Sequence, residues 1–362
     1  MQLFECQNCG HLLFFENTRC ERCGLLLGYL PEQGTLSALE WDESGWWRPL
    51  ASADQPTWFC ANAAHQACNW LVPAAHSNAF CKACALNRTI PDLVVPENLN
   101  RWQRLETAKH RLVYGLLRLG LPLVGRTEAP GTGLAFDFLA GAETGAFDQT
   151  QVITGHAFGL ITIDIAEADD AERERQRQDM AEPFRTLLGH FRHEIGHYYW
   201  DRLVRSGVWL NAFRGLFGDE RQDYQTRLRA HYARGPRADW QQHFVSGYAA
   251  AHPWEDFAET WAHYLHIVDA LETAYAFGLQ VRPRAGRDPQ LGVAIDFDPY
   301  QQTDFDALVR AWLPLTYAVN SLNHSVGQPD LYPFVLAPTV MGKLRFVHGL
   351  IHPDATVSVQ AR

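Results

Sequence analysis

All eight cysteines of the chain fall between Cys6 and Cys84, and none occurs in the rest of its 362 residues. That segregation marks a separate N-terminal module. Cys6-Gln7-Asn8-Cys9-Gly10 and Cys20-Glu21-Arg22-Cys23-Gly24 are matching knuckles. In each, the glycine after the second cysteine permits the tight turn that aims both thiolates at one metal ion. Cys60, Cys68, Cys81 and Cys84 form a second set with an irregular first pair, because seven residues separate Cys60 from Cys68; His65 lies between them as an alternative ligand. A disulfide framework is the competing reading. The N-terminus lacks the basic start and apolar run of a signal peptide, so the expected location is the cytoplasm, where thiols stay reduced and available to metals. No run of about 18 apolar residues is present to span a bilayer.

The second constraint is the run His193-Glu194-Ile195-Gly196-His197. Two histidines four residues apart lie nearly above one another on a helix, about 40° apart, so both imidazoles can reach one metal. Glu194 falls beside them, where its carboxylate reaches a water on that metal and can act as general base. Leu187, Leu188, Phe191, Ile195, Tyr198 and Leu203 recur at helical steps and predict a helix with one packed face, beside a polar stripe of His190, His193, His197 and Asp201. The plain alternative is a core helix whose histidines are satisfied by hydrogen bonds.

A catalytic zinc takes three protein ligands and keeps one position for water, so another donor is needed outside this helix. The segment Tyr248 to His266 carries candidates. Phe257, Trp261, Leu265 and Val268 form an apolar face there, while Glu255, Glu259, His263 and His266 recur on another. Four ionisable groups in one stripe are costly to bury unless paired or metal-bound.

The HExxH pair with a later helical glutamate resembles the gluzincin metallopeptidases. Tyr248, followed by Glu255-Asp256-Phe257-Ala258-Glu259, looks like the matching stretch of the lethal-factor toxin peptidases. The resemblance implies Glu255 as the third zinc ligand, Glu259 as the support of a zinc histidine, and Tyr248 as a donor to the oxyanion. A frame shifted by one turn stays open, with Glu259 as ligand and His263 as its supporter. Gly196 inside the motif also resembles metzincins, but no third histidine follows at their spacing. The whole chain is similar to a bacterial family of zinc-binding metallopeptidases preceded by zinc ribbons. The stretches that carry this likeness are the ribbons, Leu86 to Leu93, Arg192 to Trp200 and Trp254 to His266.

The expected fold is α+β: small zinc-ribbon modules followed by a zincin-like domain, mainly helical with a small sheet. The expected boundaries are a first ribbon over 1–28, a Trp-rich connection over 29–54, a second ribbon over 55–90, a linker and helix over 91–120, a catalytic domain over 121–352 and a tail over 353–362. Trp102, Leu105, Leu112, Leu116 and Leu119 predict a helix from about Leu99 to Gly120. Val152 to Thr154 and Leu160 to Ile165 read as strands, the latter expected by analogy with gluzincins to line the substrate cleft. Asp169 to Arg177 reads as a solvated charge run, and further helices are expected within 218–252, 304–325 and 334–350.

These readings converge on a zinc-dependent peptidase with one catalytic and two structural zinc ions, acting on a peptide or protein. A protein partner could dock on the ribbons. Nucleic-acid and membrane partners are not expected: the net charge is -10, and residues 1–97 carry five Lys or Arg against ten Asp or Glu. The rival readings are a non-catalytic zinc adaptor and a zinc hydrolase of a non-peptide amide.

Overall fold

The computed structural model describes residues 1–141, 154–179, 186–286 and 288–353, with backbone alone for 176–179. The chain divides into two compact units, Met1–Glu174 and Arg175–Arg362. No described helix is long and apolar enough to cross a membrane.

The first unit carries the larger sheets. β1 (Phe4–Glu5) and β2 (Leu12–Leu13) pair around the first knuckle. β3 (Leu26–Leu30), β4 (Thr35–Trp41), β5 (Trp47–Pro49), β6 (Thr57–Phe59) and β7 (Leu71–Pro73) form one antiparallel sheet in sequence order. The Trp-rich segment thus supplies β4 and β5, with Trp41 and Trp47 opposite each other in register. Leu30, Leu39 and Leu71 are buried together against this sheet, and Tyr29 meets Phe15 and Trp70 at ring separations of 4.9 and 4.8 Å. Such edge-on and tilted contacts add to the apolar burial.

β8 (Asn87–Thr89) leaves the second cysteine set and enters a different sheet, where it pairs in parallel with β9 (Ala135–Leu139). Arg88 pins the pairing through Asp137, its Nε donating to Oδ1 at 2.8 Å. Between these strands runs α1 (Pro96–Arg118), opened by a proline in its first turn and followed by Gly120 at φ +64°, where a left-handed residue stops a helix cheaply. Trp102, Leu105, Leu112, Val113 and Leu116 are buried on it, and so are Glu106, Lys109 and His110. β10 (Gly155–Ala157) and β11 (Leu160–Asp164) complete the sheet, β11 parallel to β9, and the charged run begins α2 (Asp170–Asp179). Val152 and Ile153 lie outside the described residues.

The second unit is largely helical. α3 (Leu187–Leu203) is capped by Thr186, whose hydroxyl accepts the Gly189 N–H. α4 (Leu210–Phe217) and α5 (Tyr224–Arg234) follow, then α6 (Pro253–Ala276). A short strand pair, β12 (Gln280–Val281) and β13 (Val293–Ala294), precedes α7 (Phe305–Ser325) and α8 (Pro338–Ile351).

α3 and α6 pack at unusually close range because Gly196 has no side chain. A Cβ there would stand 2.9 Å from the Ala258 Cα and 3.1 Å from the Trp261 Cβ, inside the distance carbon atoms tolerate. Tyr199 stacks on Trp261 at 5.0 Å, and Phe213 and Phe217 pack on Phe257. On α6, Asp256 is fully buried against Lys343 of α8 at 2.6 Å. Burial lifts the Asp256 carboxyl to about 7 even with that ammonium beside it.

Candidate metal centres

His193 and His197 project from successive turns of α3, and Glu255 projects from the first turn of α6. All three are buried. The Glu255 Oε2 is 3.0 Å from the His193 Nε2 and 3.6 Å from the His197 Nε2, and the two nitrogens are 3.2 Å apart. Tetrahedral zinc with N and O donors at 2.0–2.1 Å sets neighbouring donors roughly 3.3–3.4 Å apart. The triangle therefore fits one face of such an ion, and its three atoms belong to a buried group that could hold a metal.

Glu259 has a different position. Its Oε1 accepts the His193 Nδ1–H at 2.7 Å, and its Oε2 accepts the Ser246 hydroxyl at 2.5 Å. Both oxygens are committed away from the triangle. A proton held on Nδ1 leaves the lone pair of the neutral imidazole on Nε2, pointing at Glu255. Burial pulls His193 downward, but the hydrogen bonds and charges of Glu255 and Glu259 outweigh it and hold the imidazole well above its ordinary range. Burial pushes Glu255 up, yet His197 and His193 bring it well below the usual carboxylate range. A dication among them would supply the same charge balance.

Glu194 is buried beside the pair. One oxygen is 3.3 Å from the His190 Nε2, while Oε2 has no hydrogen-bond partner among the described residues. Burial raises its carboxyl, and the hydrogen bond from His190 with the nearby imidazole charges more than reverses that, so the ionised form is favoured. Leaving a buried carboxylate oxygen without a donor costs about 1–3 kcal/mol.

Two tyrosines flank the triangle. The Tyr248 ring is 5.9 Å from that of His193, and burial with the Glu255 charge raises its phenol well above the usual range. Tyr224 from the start of α5 donates to the Glu255 Oε1 at 2.7 Å and interacts with Tyr248. Sequence reading missed Tyr224, since it belongs to another helix with no spacing relation to either motif. His263 turns elsewhere: its Nδ1 meets the Tyr332 hydroxyl at 2.8 Å. His266 and Asp269 engage Arg192, each at 2.6 Å.

The cysteine clusters lie in the first unit, and all eight thiols are free of disulfides. In the first, the Cys6 and Cys23 sulfurs are 3.7 Å apart and those of Cys9 and Cys20 3.6 Å, near the roughly 3.8 Å that zinc–sulfur bonds of 2.3 Å set between tetrahedral thiolates. Gly10 and Gly24 take the left-handed conformation that lets each knuckle turn. In the second, Cys60, Cys68, Cys81 and Cys84 converge, Cys68 and Cys81 at 3.7 Å, and backbone N–H groups of Trp70, Cys81 and Cys84 point at the sulfurs. His65 does not join them. Its ring meets Trp102 at 6.1 Å and its carbonyl accepts from Gln103, so this alternative ligand is corrected. The histidine beside the sulfurs is His110 of α1, with Nε2 3.2 Å from Cys68 and 3.6 Å from Cys84. Its one signal in the sequence is a polar trio, Glu106, Lys109 and His110, inside an apolar helical pattern.

Two four-cysteine clusters ahead of a helical unit bearing a His–His–Glu triangle are the marks of a protein with several candidate metal sites. The chain belongs to the family described as "Putative zinc-binding metallo-peptidase", whose profile matches residues 98–350, and a zinc-ribbon domain profile matches residues 3–95. It is 43% identical over 352 residues to uncharacterized proteins of Mycobacterium bovis and of the Oshkosh strain of Mycobacterium tuberculosis, covering 97% of this chain and 95% of each relative. No solved structure matches it.

Proposed function

We propose that the chain is a zinc-dependent peptidase of gluzincin type with a zincin-like catalytic domain. In this reading His193, His197 and Glu255 hold the catalytic zinc, and two further zinc ions sit in the cysteine clusters. The observation that carries it is the buried Glu194 carboxylate, with one oxygen unpartnered among the described residues, beside three donors spaced for a single ion; His190 and the nearby imidazoles favour its ionised form. A purely structural ion gives that carboxylate nothing to do.

Zinc bound there supplies Lewis acidity for a peptide carbonyl and lowers the pKa of water to about 7. Glu194 takes the proton from the attacking water and returns it to the leaving amine. Tyr248 donates to the developing oxyanion, and Tyr224 fixes the rotamer of Glu255. Glu259 holds His193 in the tautomer that leaves Nε2 free.

The test is Glu194→Gln in the full chain, scored on a peptide mixture by mass spectrometry with zinc counted in parallel. Three zinc ions per chain are expected in both forms, with hydrolysis lowered by about 10²–10⁴-fold in the variant. Full turnover by the variant would refute the general-base assignment.

A further inference from the structure

The second cysteine cluster offers five donors where tetrahedral zinc takes four. His110 Nε2 stands at the edge defined by Cys68 and Cys84. Neighbouring N and S ligands on one zinc are roughly 3.5 Å apart, so its 3.6 Å from Cys84 is a co-ligand spacing. The His110 Nδ1 lies 2.6 Å from the Glu106 carbonyl oxygen, which can only accept. Nδ1 therefore carries the hydrogen, and the lone pair of the neutral ring is on Nε2, facing the sulfurs.

The imidazole is firmly held. Glu106 is tied by Lys109 at 2.8 Å and by Asn87 at 2.9 Å, and Lys109 also bonds Asn87. This buried network fixes the turn of α1 that carries His110 against β8, the strand that follows Cys84. His110 also lies beyond the residues that the zinc-ribbon profile covers.

The four sulfurs are unequal. Cys60, Cys81 and Cys84 are buried, whereas Cys68 is partly exposed. Cys68 and His110 also line a cavity of about 470 Å³, walled on its apolar side by Phe15, Leu26, Phe59 and Ala67. The one partly exposed cysteine of the four thus lines the same space as the spare imidazole.

We propose that Cys60, Cys81 and Cys84 hold zinc permanently, and that Cys68 Sγ and His110 Nε2 compete for the fourth position, making Cys68 a modification site for small soft electrophiles. An electrophile of the alkyl-halide class enters the cavity, the Cys68 thiolate pair forms the S–C bond, and halide leaves with the electrons of the broken C–X bond. The resulting thioether is a weak ligand. His110 then donates its Nε2 pair in place of the sulfur, and the ion stays bound with three thiolates instead of four. Peptide hydrolysis plays no part in this exchange.

The experiment is a timed exposure of zinc-loaded full-length protein to iodoacetamide, with peptide mapping and zinc counting. Cys68 should be carbamidomethylated at least about tenfold faster than Cys60, Cys81 and Cys84, with no zinc released, as expected for the partly exposed thiolate among three buried ones. In His110→Ala the same labelling should release one zinc per chain. A measurement on wild-type protein guards against misfolding of that variant: with cobalt in place of zinc, alkylation should remove about one eighth of the thiolate-to-metal absorption while the cobalt count holds. Preferential labelling of Cys60, Cys81 or Cys84, or loss of metal from the wild type on Cys68 labelling, would overturn the proposal.

Discussion

Glu259 accepts the Nδ1 proton of His193 at 2.7 Å, from one helical turn beyond Glu255, whose own oxygen stands 3.0 Å from the Nε2 of the same ring. The two carboxylates grip opposite edges of one imidazole. Removing the outer one should cost about 10–100-fold in catalytic-metal affinity or activity. Removing the inner one should cost more, because a ligand is lost. Metal titration of Glu259→Ala and Glu255→Ala, with the cysteine-bound ions counted separately, checks the ranking; an empty site in the first and an occupied one in the second would reverse the assignment.

The two tyrosines should separate binding from rate. Tyr224→Phe removes the donor to the Glu255 Oε1 and is expected to weaken catalytic-metal binding by about tenfold or more. Tyr248→Phe should leave metal content intact and lower kcat by about 10²–10³-fold, the typical cost of one oxyanion donor. Paired metal titrations and kinetics read both, and the opposite pattern would exchange the roles.

Gly196→Ala should push α3 and α6 apart. Overpacking of this kind costs about 1–3 kcal/mol, against a gain near 1 kcal/mol from helix propensity. A lower Tm and weaker binding of the catalytic metal are expected together. Gly215→Ala on α4 is the control, since a Cβ there meets nothing within 4 Å, and it should be neutral or slightly stabilising. Equal Tm values for Gly196→Ala and wild type would remove the close-packing explanation.

Burial lowers the His263 imidazole to about 4, against about 6.5 in the unfolded chain. Between these values the native state binds fewer protons than the unfolded one, so stability is lost as pH falls from about 6.5 to about 4, by on the order of 3 kcal/mol at the lower end. His263→Gln can still hydrogen-bond Tyr332 but does not titrate. Denaturant titrations at pH 7 and pH 4.5 should show a shallower acid loss in the variant; identical slopes would mean other groups carry the effect.

What the sequence discloses follows from locality. His193, Glu194 and His197 lie on consecutive turns, and Cys6 to Cys23 in facing knuckles, so short-range periodicity brings these groups together before any tertiary packing is known. Helix α1 is legible from its apolar spacing. Its beginning at Pro96 is less so, because a first turn is fixed by capping and not by the buried face. Tyr224, Ser246 and Tyr332 reach their partners from separate turns and helices, where sequence distance carries no angular information. His65 and His110 show the same limit: the histidine nearer in sequence is turned toward Trp102, while the one 42 residues from Cys68 reaches the sulfurs. The parallel pairing of β8 with β9 across the intervening helix is equally silent in the sequence.

The candidate metal sites also differ in how much chain each must gather. Cys6 and Cys23 are separated by 17 positions, Cys68 and His110 by 42, and His193 and Glu255 by 62. Closing a loop costs more entropy as it lengthens, though only logarithmically. A ribosome releasing this chain therefore meets the sites in rising order of closure cost. The first knuckle pair can capture its ion while most of the protein is unmade, the second is enclosed only after α1 has emerged, and the HExxH helix must wait for α6. Metal supply during translation would accordingly favour the ribbons, and a zinc-starved cell would make chains whose ribbons are filled before the His–His–Glu triangle.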